Sequence, residues 1–247
     1  MERTAVSGRL TWRLATVVST TTETLRTKTI YLDPPDWPGH LAGQHVDLRL
    51  TDEDGYQAQR SYSIASGPED ERLALTVERL DDGEVSPYLV DELREGDELE
   101  LRGPIGGYFV WRDSDGGPLQ LLAGGSGIVP LRAMLRHRAA SGSSAPARLL
   151  YSTRSLDDVI YRDELMNEAE GVDVRFALTR TWPEDWSGHR GRIDAGLLRE
   201  AVWGPGAKPL VYVCGPTGFV EAAANALVEL GHEPGRIRAE RFGASGL

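Results

Sequence analysis

Between Leu10 and about Arg112 the chain alternates hydrophobic and polar positions in short runs. Leu73, Leu75 and Val77 alternate with Ala74, Thr76 and Glu78, and Leu99 and Leu101 alternate with Glu98, Glu100 and Arg102. A period of two is the sign of half-buried strands. Turn signals separate the runs at Asp33-Pro-Pro35, Asp54-Gly55, Asp82-Gly83 and Glu95-Gly96. Only Ser86–Leu93 reads as a helix. Short strands at this spacing predict a small antiparallel barrel.

The period then changes. Pro118–Ala123 is a compact apolar run, followed by a glycine-rich turn and by Ile128, Leu131, Met134 and Leu135 on one helical face. The same grammar recurs from Arg148–Tyr151 to a helix around Tyr161–Ala169, from Val172–Leu178 to Ala195–Ala201, and from Leu210–Cys214 to Phe219–Leu230. Four alternations of strand and helix predict a parallel sheet with crossover helices. The fold class expected is therefore β followed by α/β, an N-terminal antiparallel barrel over residues 1–113 and a parallel-sheet α/β domain over 114–247. The polar segment Asp113-Ser-Asp-Gly-Gly117 lies between them.

A parallel sheet brings the residues after each strand to one crevice, where its ligands sit. Here those residues are Gly124-Gly125-Ser126-Gly127, Ser152-Thr-Arg154, Thr179-Arg180 and Cys214-Gly215-Pro216. A glycine-rich start to a helix offers backbone N–H groups and a positive dipole end to a pyrophosphate. The run departs from the dinucleotide fingerprint G-x-G-x-x-G, because Pro130 stands where the last glycine belongs. A tight turn that binds nothing is the alternative. NAD-selective sites place a carboxylate on the ribose 2′-hydroxyl, whereas a 2′-phosphate favours arginine. Arg154 and Arg180 end two of the strands, and no carboxylate follows until Asp157, so NADPH is expected over NADH unless both arginines are only solvated surface.

Composition narrows the function. Asp plus Glu exceed Lys plus Arg by 38 to 27, a net charge of −11, which argues against a nucleic-acid partner. The one cysteine, Cys214, excludes an internal disulfide and a cluster held by several thiols within these residues. Following an apolar strand and with no histidine assigned to it, Cys214 reads by itself as a small buried hydrophobe. The five histidines show no metal-ligand spacing. Neither a signal-peptide core nor an apolar run of about 20 residues appears, so a cytoplasmic chain without a membrane partner is expected. Trp182 and Trp186 read as anchors of a surface loop, and Glu69-Asp-Glu71 as solvated surface.

Further motifs lie in order along the chain: Arg60-Ser61-Tyr62-Ser63, Gly83-Glu84-Val85-Ser86 before the short helix, Gly103-Pro-Ile-Gly106 with Tyr108 after it, Gly124-Gly-Ser-Gly-Ile-Val-Pro130, Cys214-Gly-Pro216 and Glu240-Arg-Phe242. Read alone, Arg60–Ser63 is an ordinary barrel strand. Together these motifs resemble the R-x-Y-S, G-x-x-S, G-P-x-G, G-G-x-G-I-x-P, C-G-P and E-x-F motifs of the ferredoxin–NADP reductase superfamily, which includes cytochrome b5 reductases and oxygenase reductase components. The resemblance covers nearly the whole chain.

It implies bound FAD, in preference to FMN, and NAD(P)H as the electron donor. Arg60 would neutralise the flavin pyrophosphate, Tyr62 would lie against the isoalloxazine, Ser63 would hydrogen-bond near N5, and Ser61 belongs to the same motif. Val77 and Arg79 would flank the flavin, and the turn Gly83, Glu84, Val85 and Ser86 would meet its pyrophosphate. Gly124, Gly125, Ser126, Gly127, Arg154, Thr179, Gly215 and Pro216 would serve the nucleotide, with Arg180 on its 2′-phosphate. Cys214 would stand beside the nicotinamide, so Ser63 and Cys214 are the catalytic candidates. Phe242 is the candidate cover for the flavin, although Gly243–Leu247 follow it where plant-type relatives end on the aromatic. The implied function is hydride transfer from NADPH to FAD, then electron transfer to a separate protein carrying its own iron–sulfur or haem centre. Two alternatives stand beside it: a free-flavin or quinone reductase, and a non-catalytic flavin-binding sensor or subunit.

Overall fold

The computed structural model describes residues 10–167 and 171–242. In the first half the strands are β1 (Trp12–Thr24), β2 (Thr27–Asp33), β3 (His45–Thr51), β4 (Gln57–Ser63), β5 (Leu73–Glu78) and β6 (Glu98–Ile105). They form one antiparallel sheet in the order β4-β3-β6-β1-β2-β5. The sheet curls until its edges touch, with Ile64 bridging Leu75 and Ala65 N–H donating to the Ala74 carbonyl at 2.7 Å. Leu48, Leu75, Val77, Leu99 and Leu101 fill the interior. On β6 the expected alternation holds, since Glu98 is exposed and Glu100 binds Arg49 on the outside.

β5 departs from the half-buried strand expected of it. Its other face is buried too, because Ala74 packs in a core shared with the second half and Thr76 hydrogen-bonds Tyr161. The expected helix at Ser86–Leu93 is present over residues 86–92, and its later part, Tyr88–Glu92, widens into a π turn closed by Leu93 N–H on the Tyr88 carbonyl at 3.0 Å.

The second half runs β7 (Leu119–Gly124), α1 (Ile128–Ala140), β8 (Ala147–Thr153), α2 (Arg162–Asn167), β9 (Val172–Leu178), β10 (His189–Arg190), α3 (Ala195–Ala201), β11 (Leu210–Pro216), α4 (Thr217–Glu229) and β12 (Ile237–Phe242). The sheet is parallel throughout, in the order β10-β9-β8-β7-β11-β12. Two strands go beyond the sequence reading, the two-residue β10 and the edge strand β12. The last residues of the helix expected at Tyr161–Ala169 lie outside the described residues. The order reverses between β7 and β11, which makes that junction the switch point where such sheets bind ligands.

The halves share one apolar core, in which Ala65, Ala74 and Phe109 pack with Ala123, Ile128 and Tyr212. Polar contacts rim it. Tyr212 Oη donates to the Val110 carbonyl at 2.7 Å, Asp70 pairs with Arg136 at 2.9 Å, and Glu69 with His137 at 2.7 Å. Glu69 and Asp70 lie on the exposed surface, as expected of them, and there they also pair with basic residues of α1 across the junction. Among the described residues no helix is long and apolar enough to cross a membrane.

Candidate functional site

β4 carries the arginine motif on an edge of the antiparallel sheet. Register sets Arg60 opposite Leu48 and Tyr62 opposite Val46, while Ser61 and Ser63 stand opposite Asp47 and His45, so the two pairs belong to opposite faces of the strand. Arg60 is half exposed, and its Nη2 donates to Glu84 Oε2 at 2.7 Å. That ion pair brings the Arg60–Ser63 strand to the Gly83–Ser86 turn, two motifs that sequence alone leaves unconnected. Tyr56 Oη donates to the other oxygen of Glu84 at 2.9 Å. The Tyr56 hydroxyl and the Arg60 guanidinium hold the Glu84 carboxyl below its ordinary range.

Burial pushes the Tyr62 phenol up to about 12, so it is neutral at physiological pH. Ser63 is buried at the end of β4. Several side chains expected at the flavin have other partners. Ser61 Oγ donates to Asp47 Oδ1 at 2.7 Å, and Ser86 Oγ accepts from Leu80 N–H at 3.0 Å. Arg79 is paired with Asp81 and, at 2.7 Å, with Asp91. The side chains of Val77 and Val85 belong to the barrel core, which leaves only their backbones to face a ligand.

Across the junction, β7 ends in Gly124 and the chain turns through Gly125–Gly127 into α1. Gly125 has φ +54°, and nothing lies within 4 Å of where a Cβ would project, so its backbone borders open space. Gly127 is the opposite case, for a Cβ there would fall 2.1 Å from the Cys214 carbonyl oxygen. The turn is therefore seated directly on β11, and a Cβ on Gly215 would fall 3.0 Å from the Gly124 backbone. Ser126 is half-buried between them. The Gly125–Gly127 turn also packs against β5, the strand that carries Val77.

At the ends of β8 and β9, Thr179 Oγ1 donates to the Thr153 carbonyl at 3.0 Å, and Arg180 N–H to the Arg154 carbonyl at 2.9 Å. These bonds hold Arg154 and Arg180 side by side, both exposed, and neither has an ion pair among the described residues. Beyond them Trp186 Nε1 donates to the His189 carbonyl at 3.1 Å, and Trp182 lies under Arg190, the anchored loop expected of these residues.

Cys214 is fully buried, and burial pushes its thiol well above the usual value, so it is neutral rather than nucleophilic. Register places Glu240 directly opposite Cys214 and Phe242 opposite Pro216, with Phe242 packed on the core shared by both halves. Burial pushes the Glu240 carboxyl up to about 7. Sequence reasoning quoted Glu240 within its motif but gave it no role; its signal was the alternation of Ile237 and Ala239 with Arg238 and Glu240. Tyr108 is exposed, and its Oη donates to the Ile237 carbonyl at 3.3 Å, tying the first half to β12.

Comparison with known proteins agrees with this arrangement. The FAD-binding domain of oxidoreductases matches residues 6–110, and the oxidoreductase NAD-binding domain matches residues 121–225. Ferredoxin–NADP reductase B of Sorangium cellulosum is 37% identical over 210 residues, 81% of this chain and 84% of that protein. The chain belongs to the ferredoxin–NADP reductase-like family of FAD- and NAD(P)-binding oxidoreductases. Another member, the glycine betaine monooxygenase reductase subunit of Pseudomonas aeruginosa, is 32% identical over 98% of the chain, which spans 66% of that protein's length. The flavohem-like FAD/NAD-binding domain of nitric oxide dioxygenase from Vibrio cholerae superposes with a TM-score of 0.83 at 26% identity, covering 94% of this chain and 98% of that one. Membership also accounts for Pro130, which fits the family's glycine turn although it breaks the more general dinucleotide fingerprint.

Proposed function

We propose that this reductase binds FAD in preference to FMN, takes hydride from NADPH in preference to NADH, and hands electrons to a separate protein with its own iron–sulfur or haem centre. Residues 1–113 form the flavin unit and 114–247 the nucleotide unit. The observation that supports the reading is the seating of the Gly125–Gly127 turn on Cys214 and against β5, a glycine turn at a helix start beside the arginine-bearing barrel. The residues suit both cofactors: a half-exposed guanidinium for one pyrophosphate, and an open glycine backbone at a helix start for the other.

When bound, the nicotinamide supplies a hydride and the flavin accepts it and gives out electrons singly. The protein's own work is placement. Arg60 offsets phosphate charge, the Tyr62 ring offers an uncharged face, and the Ser63 hydroxyl offers a hydrogen bond at the buried end of β4. Gly127 holds the nucleotide turn on the switch point. The neutral Cys214 thiol fills volume and excludes water, and Glu240, with its carboxyl near 7, holds or releases a proton close to neutrality. Arg154 and Arg180 offer charge to a 2′-phosphate. The separate acceptor is supported by relatives such as the monooxygenase reductase subunit, whose name describes a reductase that works within a larger system.

The test is anaerobic turnover of the FAD-loaded protein with NADPH and a one-electron acceptor such as ferricyanide. Acceptor reduced in pairs for each NADPH consumed is expected; NADPH consumption without acceptor reduction would sink the reading. The Arg60–Glu84 pair favours a second reading, in which flavin is exchanged rather than retained. Protein that purifies colourless yet reduces added flavin would establish it.

A further inference from the structure

The guanidinium expected to receive the flavin phosphates already has a partner. Arg60 donates Nη2 to Glu84 at 2.7 Å and Nη1 to the Gln59 carbonyl at 2.7 Å, and Glu84 is tethered on its other oxygen by Tyr56. Glu84 belongs to the Gly83–Ser86 turn, so a carboxylate stands at the mouth of a site read as one for an anion. The pair is half exposed, 51% for Arg60 and 49% for Glu84, and an ion pair in that setting is screened and weak. Phosphate oxygens, bringing charge-assisted hydrogen bonds and two negative charges, can displace it. The displaced Glu84 stays ionised, because the Tyr56 hydroxyl stabilises its charged form, and it then repels the anions that took its place.

We propose that Glu84 is a built-in competitor for the flavin phosphates, holding Arg60 at 2.7 Å and lowering the affinity of the site for phosphate-bearing flavins. This rests on the proposed flavin site. Its consequence is a faster release of FAD, since Glu84 returns to Arg60 as the phosphates leave. A tethered carboxylate thereby sets whether flavin behaves as a fixed group or as an exchangeable one.

The test is titration of the flavin-depleted protein with FAD and, separately, with riboflavin, which has no phosphate, followed by quenching of flavin fluorescence. The Glu84→Gln substitution keeps the shape and an acceptor for Tyr56 but removes the charge. It should tighten FAD binding by about three- to tenfold at low salt. The gain should shrink at about 0.5 M salt, where the screening length falls to about 4 Å. Riboflavin affinity should not change, and in the Arg60→Ala background the gain should be smaller. Unchanged or weaker FAD binding by Glu84→Gln, with Arg60→Ala still weakening it, overturns the competitor role and leaves the flavin site standing. FAD binding unaffected by Arg60→Ala overturns the phosphate site itself, and the competitor with it.

Discussion

Arginines stand at the candidate site in both halves of the molecule, but in opposite electrostatic states. In the antiparallel half, Arg60 faces Glu84 at 2.7 Å and Arg79 faces Asp91 at 2.7 Å. In the parallel half, Arg154 and Arg180 project from neighbouring strand ends with no ion pair among the described residues. A motif places a residue, and its neighbours then decide how much of its charge a ligand can use. In a chain of net charge −11, exposed guanidiniums held side by side concentrate positive charge at one place. On the flavin side the charge of Arg60 is offset by Glu84. The backbones differ as well, for the nucleotide turn is seated by glycine contacts that leave no room for a side chain, whereas the flavin motifs meet through exposed side chains.

Gly127→Ala should have the largest effect on this contrast. A Cβ placed 2.1 Å from the Cys214 carbonyl forces the turn off β11. Reduction of bound flavin by NADPH should slow by about a hundredfold or more, while flavin affinity, which depends on the other half, stays near wild type. Equal loss of both would show that the halves do not divide the work.

Arg60→Ala should weaken FAD binding by about thirtyfold, as expected for charge-assisted hydrogen bonds already partly offset by Glu84. Fluorescence titration reads it directly. Arg180→Ala should lower the NADPH-to-NADH ratio of kcat/KM by about tenfold through loss of NADPH alone, with Arg154→Ala as its companion. An unchanged ratio in both would mean that these unpaired guanidiniums are only surface.

The smallest effect concerns Glu240. Its carboxyl titrates near 7 in the fold, against an ordinary 4.5, so the unfolded chain loses this proton first as pH rises. Stability contributed by the protonated group is full below about pH 4.5 and declines until about pH 7. Glu240→Gln should therefore raise Tm relative to wild type by a few degrees near pH 8, with the difference vanishing toward pH 4.5. A constant offset across that range would contradict the assignment of the shift to this residue.

Much of the architecture was legible because it is written in local periods. The alternation on β6 and the four strand–helix units needed no tertiary information, and Ala195–Ala201 and Val172–Leu178 appear with the expected bounds. β10 has two residues and carries no period at all. The second buried face of β5 comes from packing against a half that begins far along the chain. Glu84 lies 24 residues from Arg60, and no local pattern announces that the two will meet. The motifs named the candidate residues, while the neutrality of Cys214 and the raised titration of Glu240 come from burial, and the pairing of Arg60 comes from an exposed contact between β4 and the Gly83–Ser86 turn.

The central claim, that the crevice between the halves passes hydride from nicotinamide to flavin, is tested most directly by rapid anaerobic mixing of the FAD-loaded protein with NADPH and, separately, with NADH. The account predicts prompt bleaching of the flavin absorbance by NADPH and slower bleaching by NADH. A flavin that takes its place in the protein yet stays oxidised with both nucleotides would contradict it.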